Sequence, residues 1–496
     1  MKYYSLGKQS PNVDFKTAAI TGQAPDKGLY FPTEIPKFTS EQIERFKTLD
    51  NASLAFEVMK PYVDGLIDDA SLKQICAETI NFDFPLVPIT ETISSLELFH
   101  GPTLAFKDVG ARFMSRCLGY FSKQTSEEKL KERSEFDELR NTIELRNIDE
   151  PRNINELRNT NELRNIENKL YQTKPSTVLV ATSGDTGGAV ANGFLGVQGV
   201  EVIILYPKGK VSPIQELQLT TCGKNITALE VEGTFDDCQG IVKDAFMDAE
   251  LNSSYNLTSA NSINVARWLP QQLYYFFAWQ QWVTKYGDNV PMHIVVPSGN
   301  FGNICAGMIA KASGLPLGHF VAACNNNNVV TRYLETRNYE VHKAVATVSN
   351  AMDVGNPSNF VRIMEIMQNN FENLKHALSS YSYDDAKTQS TIKSVFQQYN
   401  YTLDPHGAVA FLAAQQFIKD QENFIAPHNK ESKITSAIIL ETAHPVKFPE
   451  VVEEAIGQTI AIPESVQFLL DKEKVAIPMG GNFNVFKSWM LNRKSI

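Results

Sequence analysis

The sequence predicts an α/β protein whose sheets are largely parallel and covered by helices on both faces. Six short runs are rich in β-branched and aliphatic residues, as buried strands are, and helical segments separate them. Two of these runs are followed by a glycine-rich loop that opens a helix. Strands that alternate with helices are typical of this class. The predicted strands begin at Thr177, Val200, Ile226, His293, His319 and Thr435.

Length, charge and cysteine content narrow the functional class. At roughly 150 residues per domain, a chain of 496 residues is expected to fold as several domains. A net charge of −10 argues against binding to nucleic acid or an anionic membrane, because phosphate backbones need clustered cations. The first residues lack a signal-peptide pattern, and no apolar run is long enough to span a bilayer. Six scattered cysteines indicate free thiols in a reducing cytoplasm.

The chain is expected to begin with a separate cap domain, residues 1–82. Helix-like apolar spacing occurs at residues 56–62 and 70–80, and an extended, proline-punctuated segment follows at residues 84–90. The remainder, residues 83–496, is expected to form a catalytic core of two α/β subdomains. The histidines show no zinc-type spacing, so the sequence gives little support for a metal site.

Residues 127–170 differ in kind from the rest of the chain. A six-residue unit, Glu-Leu-Arg-Asn in four of its five copies, begins at position 138. A period of six does not match the 3.6 residues of a helical turn, so the leucines form no continuous stripe. With so few apolar residues, the segment is predicted to be a solvated insertion in a surface loop. A repeat-mediated binding arm is the alternative.

Two glycine-rich loops are the first candidates for chemistry. The 182–188 loop (TSGDTGG) is expected to open a helix at Ala189, and the 298–303 loop (SGNFGN) one at Ile304. Glycine allows close backbone approach to a ligand, and the N–H groups of a helix N-terminus attract anions. Neither loop fits a nucleotide-binding P-loop or a dinucleotide fingerprint. Taken singly, each is equally well explained as a tight turn.

Lys107 is the third candidate. It follows the apolar run Leu-Ala-Phe and precedes Asp108. A lysine in a dry pocket has its ammonium form disfavoured, which makes the free amine available as a nucleophile. Such an amine can form a Schiff base with an aldehyde cofactor. A lone lysine on a loop is otherwise most often a surface residue.

Seven motifs resemble those of the threonine synthase family and occur in the order that the family has. The likeness covers nearly the whole chain apart from residues 127–170. This family is similar to other fold-type II pyridoxal phosphate enzymes, with two open sheets as in the tryptophan synthase β chain. The resemblance implies that Lys107 is the Schiff-base lysine. The motifs are HGPTLAFKD at 100–108, SGDTG at 183–187, GNFGN at 299–303, GLYFP at 28–32, NSIN at 261–264 with Arg267, DPH at 404–406, and TAHPVKF at 442–448.

The resemblance also implies a set of cofactor contacts. The 299–303 loop would hold the phosphate of pyridoxal 5'-phosphate through backbone N–H groups, and Thr442 would face the pyridine nitrogen. A neutral hydroxyl there cannot keep the ring protonated as an aspartate would. The expected cofactor-binding residues are therefore Lys107, Gly299, Asn300, Phe301, Gly302, Asn303 and Thr442.

The substrate is expected to bind to the 182–188 loop and to the 261–267 segment. Arg267 suits a phosphate because its guanidinium presents forked donors. The alternative for the 261–267 segment is a capped helix start and a surface arginine. His406 and His444 are candidates for packing or for ligand contact, and Asp108 is a candidate to orient the cofactor. The substrate-binding candidates are Ser183, Asp185, Thr186, Asn261, Ser262, Asn264 and Arg267.

By the same resemblance, the expected activity is that of a cytoplasmic lyase. It would convert O-phospho-L-homoserine and water to L-threonine and phosphate by β,γ-elimination and replacement, with Lys107 as the catalytic base. A threonine or serine dehydratase of the same fold, and a catalytically idle scaffold, are the alternatives. The expected partner is the small-molecule substrate, and the chain is expected to be a monomer or a homodimer.

Overall fold

The computed structural model describes residues 1–146, 174–425 and 435–493. Its N-terminal part is a small helical layer with one two-stranded antiparallel ribbon. Aspartate or threonine side chains cap the first turn of each of its four helices, as preferred N-cap residues do. The helices predicted at residues 56–62 and 70–80 are confirmed as parts of α3 and α4. The elements are β1 (Tyr3–Ser5), α1 (Phe15–Thr21), β2 (Tyr30–Pro32), α2 (Ser40–Phe46), α3 (Asn51–Val63) and α4 (Asp69–Thr79).

A six-stranded sheet forms one half of the core. Its order is β11-β10-β9-β12-β4-β3, and every neighbouring pair is parallel except β3 with β4. The strand β12, from the last part of the chain, therefore lies between β9 and β4. The strands are β3 (Leu86–Pro88), β4 (Ile93–Glu97), β9 (His293–Pro297), β10 (Phe320–Cys324), β11 (Leu378–Ser382) and β12 (Ala437–Glu441).

A five-stranded sheet forms the other half, and all of its neighbours are parallel. Its order is β13-β7-β6-β5-β8. The strands are β5 (Ser176–Ala181), β6 (Val200–Pro207), β7 (Ile226–Glu232), β8 (Asn256–Ser259) and β13 (Ile477–Gly480).

Helices cover both faces of the two sheets, which confirms the predicted fold class. In β5, Val178 and Val180 belong to one hydrophobic core, while Leu179 and Ala181 belong to another on the opposite face. This alternation follows from the two-residue period of a strand. The remaining helices are α5 (Lys107–Arg146), α6 (Asp185–Phe194), α7 (Pro213–Thr220), α8 (Phe235–Met247), α9 (Ala249–Ser254), α10 (Val265–Trp268), α11 (Leu273–Tyr286), α12 (Gly302–Ala312), α13 (Val329–Thr336), α14 (Phe360–Ile366), α15 (Phe371–Ala377), α16 (Asp385–Tyr399), α17 (Pro405–Ile425), α18 (Pro449–Ile456), α19 (Glu464–Gln467) and α20 (Phe483–Asn492), with 3₁₀ turns at Leu269–Gln272, Asn350–Met352 and Pro445–Lys447.

The helix α5 corrects one expectation about the repeat region. It begins at Lys107 and continues to Arg146, so residues 127–146 are helical and do not form a loop. Glu, Lys and Arg have good helix propensity, and a helix that has already started extends at little cost. Lys123 and Glu127 add an ion pair of 3.8 Å one turn apart. The rest of the predicted insertion, up to residue 170, lies outside the described residues.

Among the described residues, none of the helices combines the length and the apolar character that a bilayer-crossing segment requires.

Candidate active site

A cavity of about 1040 Å³ lies where strands from the two sheets end. Residues at or just beyond the carboxyl ends of β5, β8, β9 and β12 line it. Residues of the N-terminal layer close one side. Ligands in open α/β sheets bind at this edge, beyond the carboxyl ends of the strands.

Most of the predicted site residues meet in this cavity. Asp185 and Asn264 do not line it, and neither do Asp108 and His444. A second cavity of about 1100 Å³ lies between α5 and the start of β6, and its described wall contains none of the predicted site residues. The predicted residues that line the first cavity are Lys107, Ser183, Thr186, Asn261, Ser262, Arg267, Gly299, Asn300, Phe301, Gly302, Asn303 and Thr442, together with His406.

Backbone pairing with a distant segment fixes Lys107. Phe106 N donates to Thr442 O at 2.9 Å, and an isolated antiparallel bridge joins Ala105 to Ala443. Lys107 is the first residue of α5, and its carbonyl accepts a 3.1 Å hydrogen bond from Nη1 of Arg267. The segment that carries the lysine is therefore held at the same sheet edge as Thr442.

The electrostatic surroundings of Lys107 favour a free amine. The pKa of its ammonium is lowered to about 8, chiefly by burial and in smaller part by the nearby cations of Lys447 and Arg267. The carboxylate of Asp185 acts in the opposite direction. A half-buried lysine on a cavity wall with this pKa is able to act as a nucleophile or a base near neutral pH.

The 299–303 loop has the geometry of an anion site. It runs into α12, which begins at Gly302, two residues before the predicted start. Phe301 adopts the left-handed conformation, with φ of 59°, an uncommon backbone state for a residue with a side chain. Backbone N–H groups at the start of α12 have no intrahelical partner. A phosphate suits such a helix N-terminus.

An unpartnered donor in the same loop supports the fit to a phosphate. Oδ1 of Asn303 accepts a 2.7 Å hydrogen bond from the hydroxyl of Tyr275. Its Nδ2 is buried and has no hydrogen-bond partner among the residues that the structure describes. Since a buried donor without a partner costs free energy, an anion in the cavity is the acceptor this amide lacks.

The 182–188 loop opens a helix and lines the cavity, as predicted, but the helix begins earlier than expected. Gly184 has φ of 137°, a backbone state that favours glycine, and α6 begins at Asp185, four residues before the predicted start. Oγ1 of Thr182 accepts from Gly184 N at 3.0 Å and from Gly187 N at 2.8 Å, which closes the loop. Ser183 and Thr186 face the cavity.

Two predicted substrate contacts are structural in this fold. Asp185 does not line the cavity, because its carboxylate is paired with Lys447 at 2.7 Å and accepts from Gln215 at 2.9 Å. Asn264 is fully buried as the N-cap of α10 and accepts from Ala266 N at 3.0 Å. Its Nδ2 donates to carbonyls, including Ala19 O at 2.8 Å. The capping alternative therefore holds for Asn264.

Of the remaining candidates, Arg267 and His406 line the cavity, whereas His444 and Asp108 do not. Arg267 is buried against the cavity, and burial lowers its pKa to about 10. His406 has its Nδ1 2.6 Å from Asp404, while its Nε2 accepts from Ala351 N at 3.2 Å. His444 caps a 3₁₀ turn through Val446 N, and Asp108 accepts from Thr103 N at 2.9 Å. These bonds fix the neighbouring backbone.

The described wall of the cavity carries more positive than negative side chains, whereas the whole chain carries a net negative charge. Asp353 is the carboxylate on this wall, and burial raises its pKa to about 6. Against it stand four cationic side chains, in a chain whose net charge is −10. A small anion is therefore attracted locally. The four cations are Lys27, Lys107, Lys243 and Arg267.

Sequence reasoning missed two buried cations. Lys447 stands in a matching motif, but nothing local in the sequence indicates its pairing with Asp185. Arg362 is fully buried and contacts the 261–264 segment through Ser262 O at 3.0 Å. The polar run that precedes it, residues 355–359 (GNPSN), predicts a turn and gives no sign of a buried arginine.

Sequence families match three parts of the chain. The model described as "Threonine synthase N terminus" matches residues 2–80. "Pyridoxal-phosphate dependent enzyme" matches residues 158–426, and "Threonine synthase, C-terminal" matches residues 408–488.

Curated relatives match over nearly the full length. A threonine synthase from Haemophilus influenzae is 36% identical, with 99% of this chain and all of that protein covered. A threonine synthase from Saccharomyces cerevisiae is 34% identical over 92% of this chain and 89% of the relative.

Solved structures agree with the sequence matches. The Escherichia coli threonine synthase has a TM-score of 0.80 at 33% identity and covers all of both chains. The pyridoxal-phosphate-bound enzyme from Brucella melitensis also has a TM-score of 0.80, at 31% identity, with 99% and 98% of the two chains covered. A diaminopropionate ammonia lyase from Escherichia coli, at 14% identity and a TM-score of 0.51 over 83% of this chain and 94% of that chain, shares the fold.

Proposed function

Because the chain belongs to the threonine synthase family, we propose that Lys107 is its cofactor lysine and its catalytic base. The protein is a pyridoxal-phosphate-dependent lyase that converts O-phospho-L-homoserine and water to L-threonine and phosphate. The observation that carries the residue assignment is the position of Lys107. Its amine lies in the same cavity as the 299–303 loop, with a pKa lowered by burial to about 8.

The cofactor would be held at two ends. The 299–303 loop would bind its phosphate through backbone N–H groups and through Nδ2 of Asn303, an atom without a hydrogen-bond partner in the described parts of the chain. Lys107 would bind its aldehyde, and Thr442 would approach the pyridine nitrogen with a neutral hydroxyl. When bound, the cofactor withdraws electrons from the α-carbon of the substrate.

The chain supplies the proton transfers and the anion binding. Nζ of Lys107, as a free amine, removes the α-proton and then moves a β-proton. Ser183, Thr186, Asn261 and Arg267 lie on the cavity wall, where they would bind the carboxylate and phosphate of the substrate. Donors around the departing phosphate stabilise its charge as the bond to the γ-carbon breaks.

A direct assay tests this assignment. Wild-type protein loaded with pyridoxal phosphate is expected to release phosphate from O-phosphohomoserine, and Lys107→Ala is expected to release none above background. Keto-acid formation from threonine or serine, without phosphate release, would instead indicate the dehydratase alternative. Failure of the wild type to take up the cofactor would contradict the proposal altogether.

We also propose a cytoplasmic location. All six cysteines are free thiols, and five of them are buried, as expected in a reducing compartment. Whether the protein is a monomer or a homodimer stays a prediction.

A further inference from the structure

Arg362 is a fully buried cation that joins three parts of the molecule. Its Nη1 donates to Ser262 O at 3.0 Å and to Oδ1 of Asn359 at 2.7 Å. Its Nη2 donates to Ile263 O at 2.7 Å and to Tyr30 O at 3.0 Å. The guanidinium also lies 4.2 Å from the centre of the Trp268 ring. Arg362 thus connects the N-terminal layer and the 261–264 segment to the start of α14.

The positive charge of Arg362 has no anionic partner in the described part of the chain. All of its hydrogen bonds end on neutral carbonyl or amide oxygens, and no carboxylate lies within ion-pair distance. Burial lowers the pKa of the guanidinium to about 9. A buried charge without a counter-ion is costly. An anion bound nearby would therefore be favoured.

Arg362 fixes the orientation of the Asn359 amide. An arginine offers only donors, so the atom of Asn359 that faces it must be the carbonyl oxygen. The amide nitrogen of Asn359 is then directed to the hydroxyl oxygen of Ser262, at 3.1 Å.

A second amide is fixed in the same way. Oδ1 of Asn300 accepts from Ser358 N at 2.7 Å and from Ser358 Oγ at 2.8 Å. The backbone N–H offers only a donor, so Nδ2 of Asn300 must face the other way. It donates to Oγ of Ser262 at 2.9 Å.

These two amides determine what the Ser262 hydroxyl can do. A serine hydroxyl has two acceptor positions and one proton to donate. Both acceptor positions of Ser262 are filled by the amides of Asn300 and Asn359. Ser262 lines the cavity, so its own proton is left to donate into that space.

The 299–303 loop is adjacent to this hydroxyl. A Cβ built on Gly302 would lie 3.4 Å from Cβ of Ser262 and 3.3 Å from Nδ2 of Asn359. Gly302 is the first residue of α12, and it lines the same cavity as Ser262. An anion bound at this loop is therefore within reach of the Ser262 hydroxyl.

We propose that Ser262 donates a hydrogen bond to the cofactor phosphate at the 299–303 loop, and that Arg362, acting through Asn359, is the positioning residue that aims this donor. The proposal rests on the proposed function for the identity of the phosphate. The unneutralised guanidinium adds long-range attraction for the same phosphate.

The sharpest test is Asn359→Asp. A carboxylate there pairs with Arg362 and keeps the buried contacts, so the fold is expected to survive. It also accepts the Ser262 proton, which turns the donor away from the cavity, and it neutralises the guanidinium. Binding of pyridoxal phosphate and of pyridoxal to the cofactor-free protein is followed by visible absorbance. The ratio of the two affinities reports on the phosphate alone.

We expect Asn359→Asp to lower the affinity for pyridoxal phosphate by about ten- to a hundredfold, the size of one hydrogen bond to a charged group. The affinity for pyridoxal should stay unchanged. Ser262→Ala should also show a selective loss, and the double variant should lose no more than Asn359→Asp alone, because both changes remove the same donor. Equal affinities in wild type and Asn359→Asp, or an equal loss for both ligands, would overturn the proposal.

Two further variants complete the experiment. Asn370→Asp makes the same chemical change at the exposed N-cap of α15, where Asp is an equally good cap, and should leave both affinities unchanged. Arg362→Met removes the donor that orients Asn359 and should reproduce the selective loss, with folding checked by thermal unfolding. If Arg362→Met does not fold, the two affinities measured for Asn359→Asp decide whether the proposal holds. A wild type with the expected phosphate preference but no phosphate release from substrate would contradict the proposed reaction and leave this assignment intact.

Discussion

Nζ of Lys447 lies 2.7 Å from Oδ1 of Asp185, and both side chains are buried within electrostatic reach of Lys107. Lys447 also donates to Thr103 O at 2.8 Å and to Oε1 of Gln218 at 3.2 Å. For Lys107, burial is the largest influence on the pKa. The charges of Asp185 and Lys447 act in opposite directions. When this ion pair is intact, burial is therefore the main influence on the pKa of the Lys107 amine.

The first prediction concerns the pH dependence of cofactor capture. The free amine of Lys107 is the reactive form, and its fraction rises with pH through a pKa of about 8. The rate of pyridoxal phosphate uptake by the cofactor-free protein should therefore reach half its maximum near pH 8. It should level off above about pH 9. Stopped-flow absorbance measures this rate, with a lysine in solution as the control. A rate that still climbs above pH 10 would show an ordinary, solvated lysine.

The second prediction concerns Lys447→Met. Without Lys447, the Asp185 carboxylate is buried and unpaired, which should cost about 3–5 kcal/mol of stability. The Lys107 amine loses a like charge and keeps an opposite one, so the half-point of cofactor capture should move to higher pH by about one unit. Unfolding by denaturant and the capture assay measure the two effects.

The matched control for Lys447→Met is the double variant with Asp185→Asn. Removing both charges leaves no buried unpaired ion, so most of the lost stability should return. The half-point should also move back toward pH 8. An unchanged half-point in the single variant would show that Lys447 has no influence on Lys107.

The third prediction concerns Glu441. This carboxyl is fully buried, and burial followed by repulsion from Asp404 holds its pKa well above the ordinary value of 4.5. A carboxyl whose folded-state pKa is raised is neutral at low pH and costs stability as pH rises above the unfolded value. Glu441→Gln resembles the neutral form. The free energy of unfolding of the variant should equal that of the wild type near pH 4.5 and should exceed it increasingly as the pH rises.

Denaturant unfolding at pH 5, 6.5 and 8 would measure this gain. The contrasting variant is Asp404→Asn, since that carboxylate accepts from His406 N, His406 Nδ1 and Ala443 N. The Asp404→Asn variant should lose about 2–4 kcal/mol of its free energy of unfolding at neutral pH. A Glu441→Gln variant that is less stable than the wild type at pH 8 would mean that Glu441 is buried as an anion.

The fourth prediction compares two glycines. A Cβ on Gly299 would lie 2.5 Å from Cα of Met352, so Gly299→Ala must displace the 299–303 loop or the neighbouring 3₁₀ turn. We expect a loss of about 1–3 kcal/mol in stability and a weaker affinity for pyridoxal phosphate. In Gly240→Ala, within α8, the added methyl meets nothing within 4 Å. That variant should gain up to about 1 kcal/mol and keep its cofactor affinity. Equal affinities in the two variants would contradict the steric argument.

The six strands that the sequence predicts are rich in aliphatic residues, whereas short or polar strands such as β4, β11 and β13 escape prediction. The strand β6 is buried at every position and reads VEVIILYP, so its burial is visible in its composition. The strand β11 reads LSSYS and β4 reads ISSLE, which local patterns do not distinguish from loops. In β4, Ser95 is fully buried, and its Oγ accepts a hydrogen bond from the hydroxyl of Tyr401 at 3.0 Å. Partners of this kind, about 300 residues away, are not encoded in a local pattern.

Prediction of the site was limited for the same reason. Loops that follow neighbouring parallel strands meet at one edge of their sheet, but Ser183 follows β5 of one sheet and the 299–303 loop follows β9 of the other. Their meeting with Lys107 in one cavity depends on how the two sheets pack, which the family motifs indicate and strand order alone does not. Asp185 stands between two cavity-lining residues, yet it turns to Lys447, whose position depends on the whole fold. The family motif predicts a substrate contact for Asn264, but its side-chain oxygen caps the start of α10 by accepting a hydrogen bond from Ala266 N.

The position of β12 has a consequence for how the protein is made. Residues 437–441 form a central strand of the six-stranded sheet, and the strands on its two sides come from residues 93–97 and 293–297. The two parts of that sheet therefore have no hydrogen-bonded connection until the ribosome has released residues 437–441. Such pairings between distant positions form late and slowly. Nascent or truncated chains that end before residue 437 lack Thr442 and the segment that pairs with residues 104–106, so the wall of the cavity is incomplete until that segment has been made.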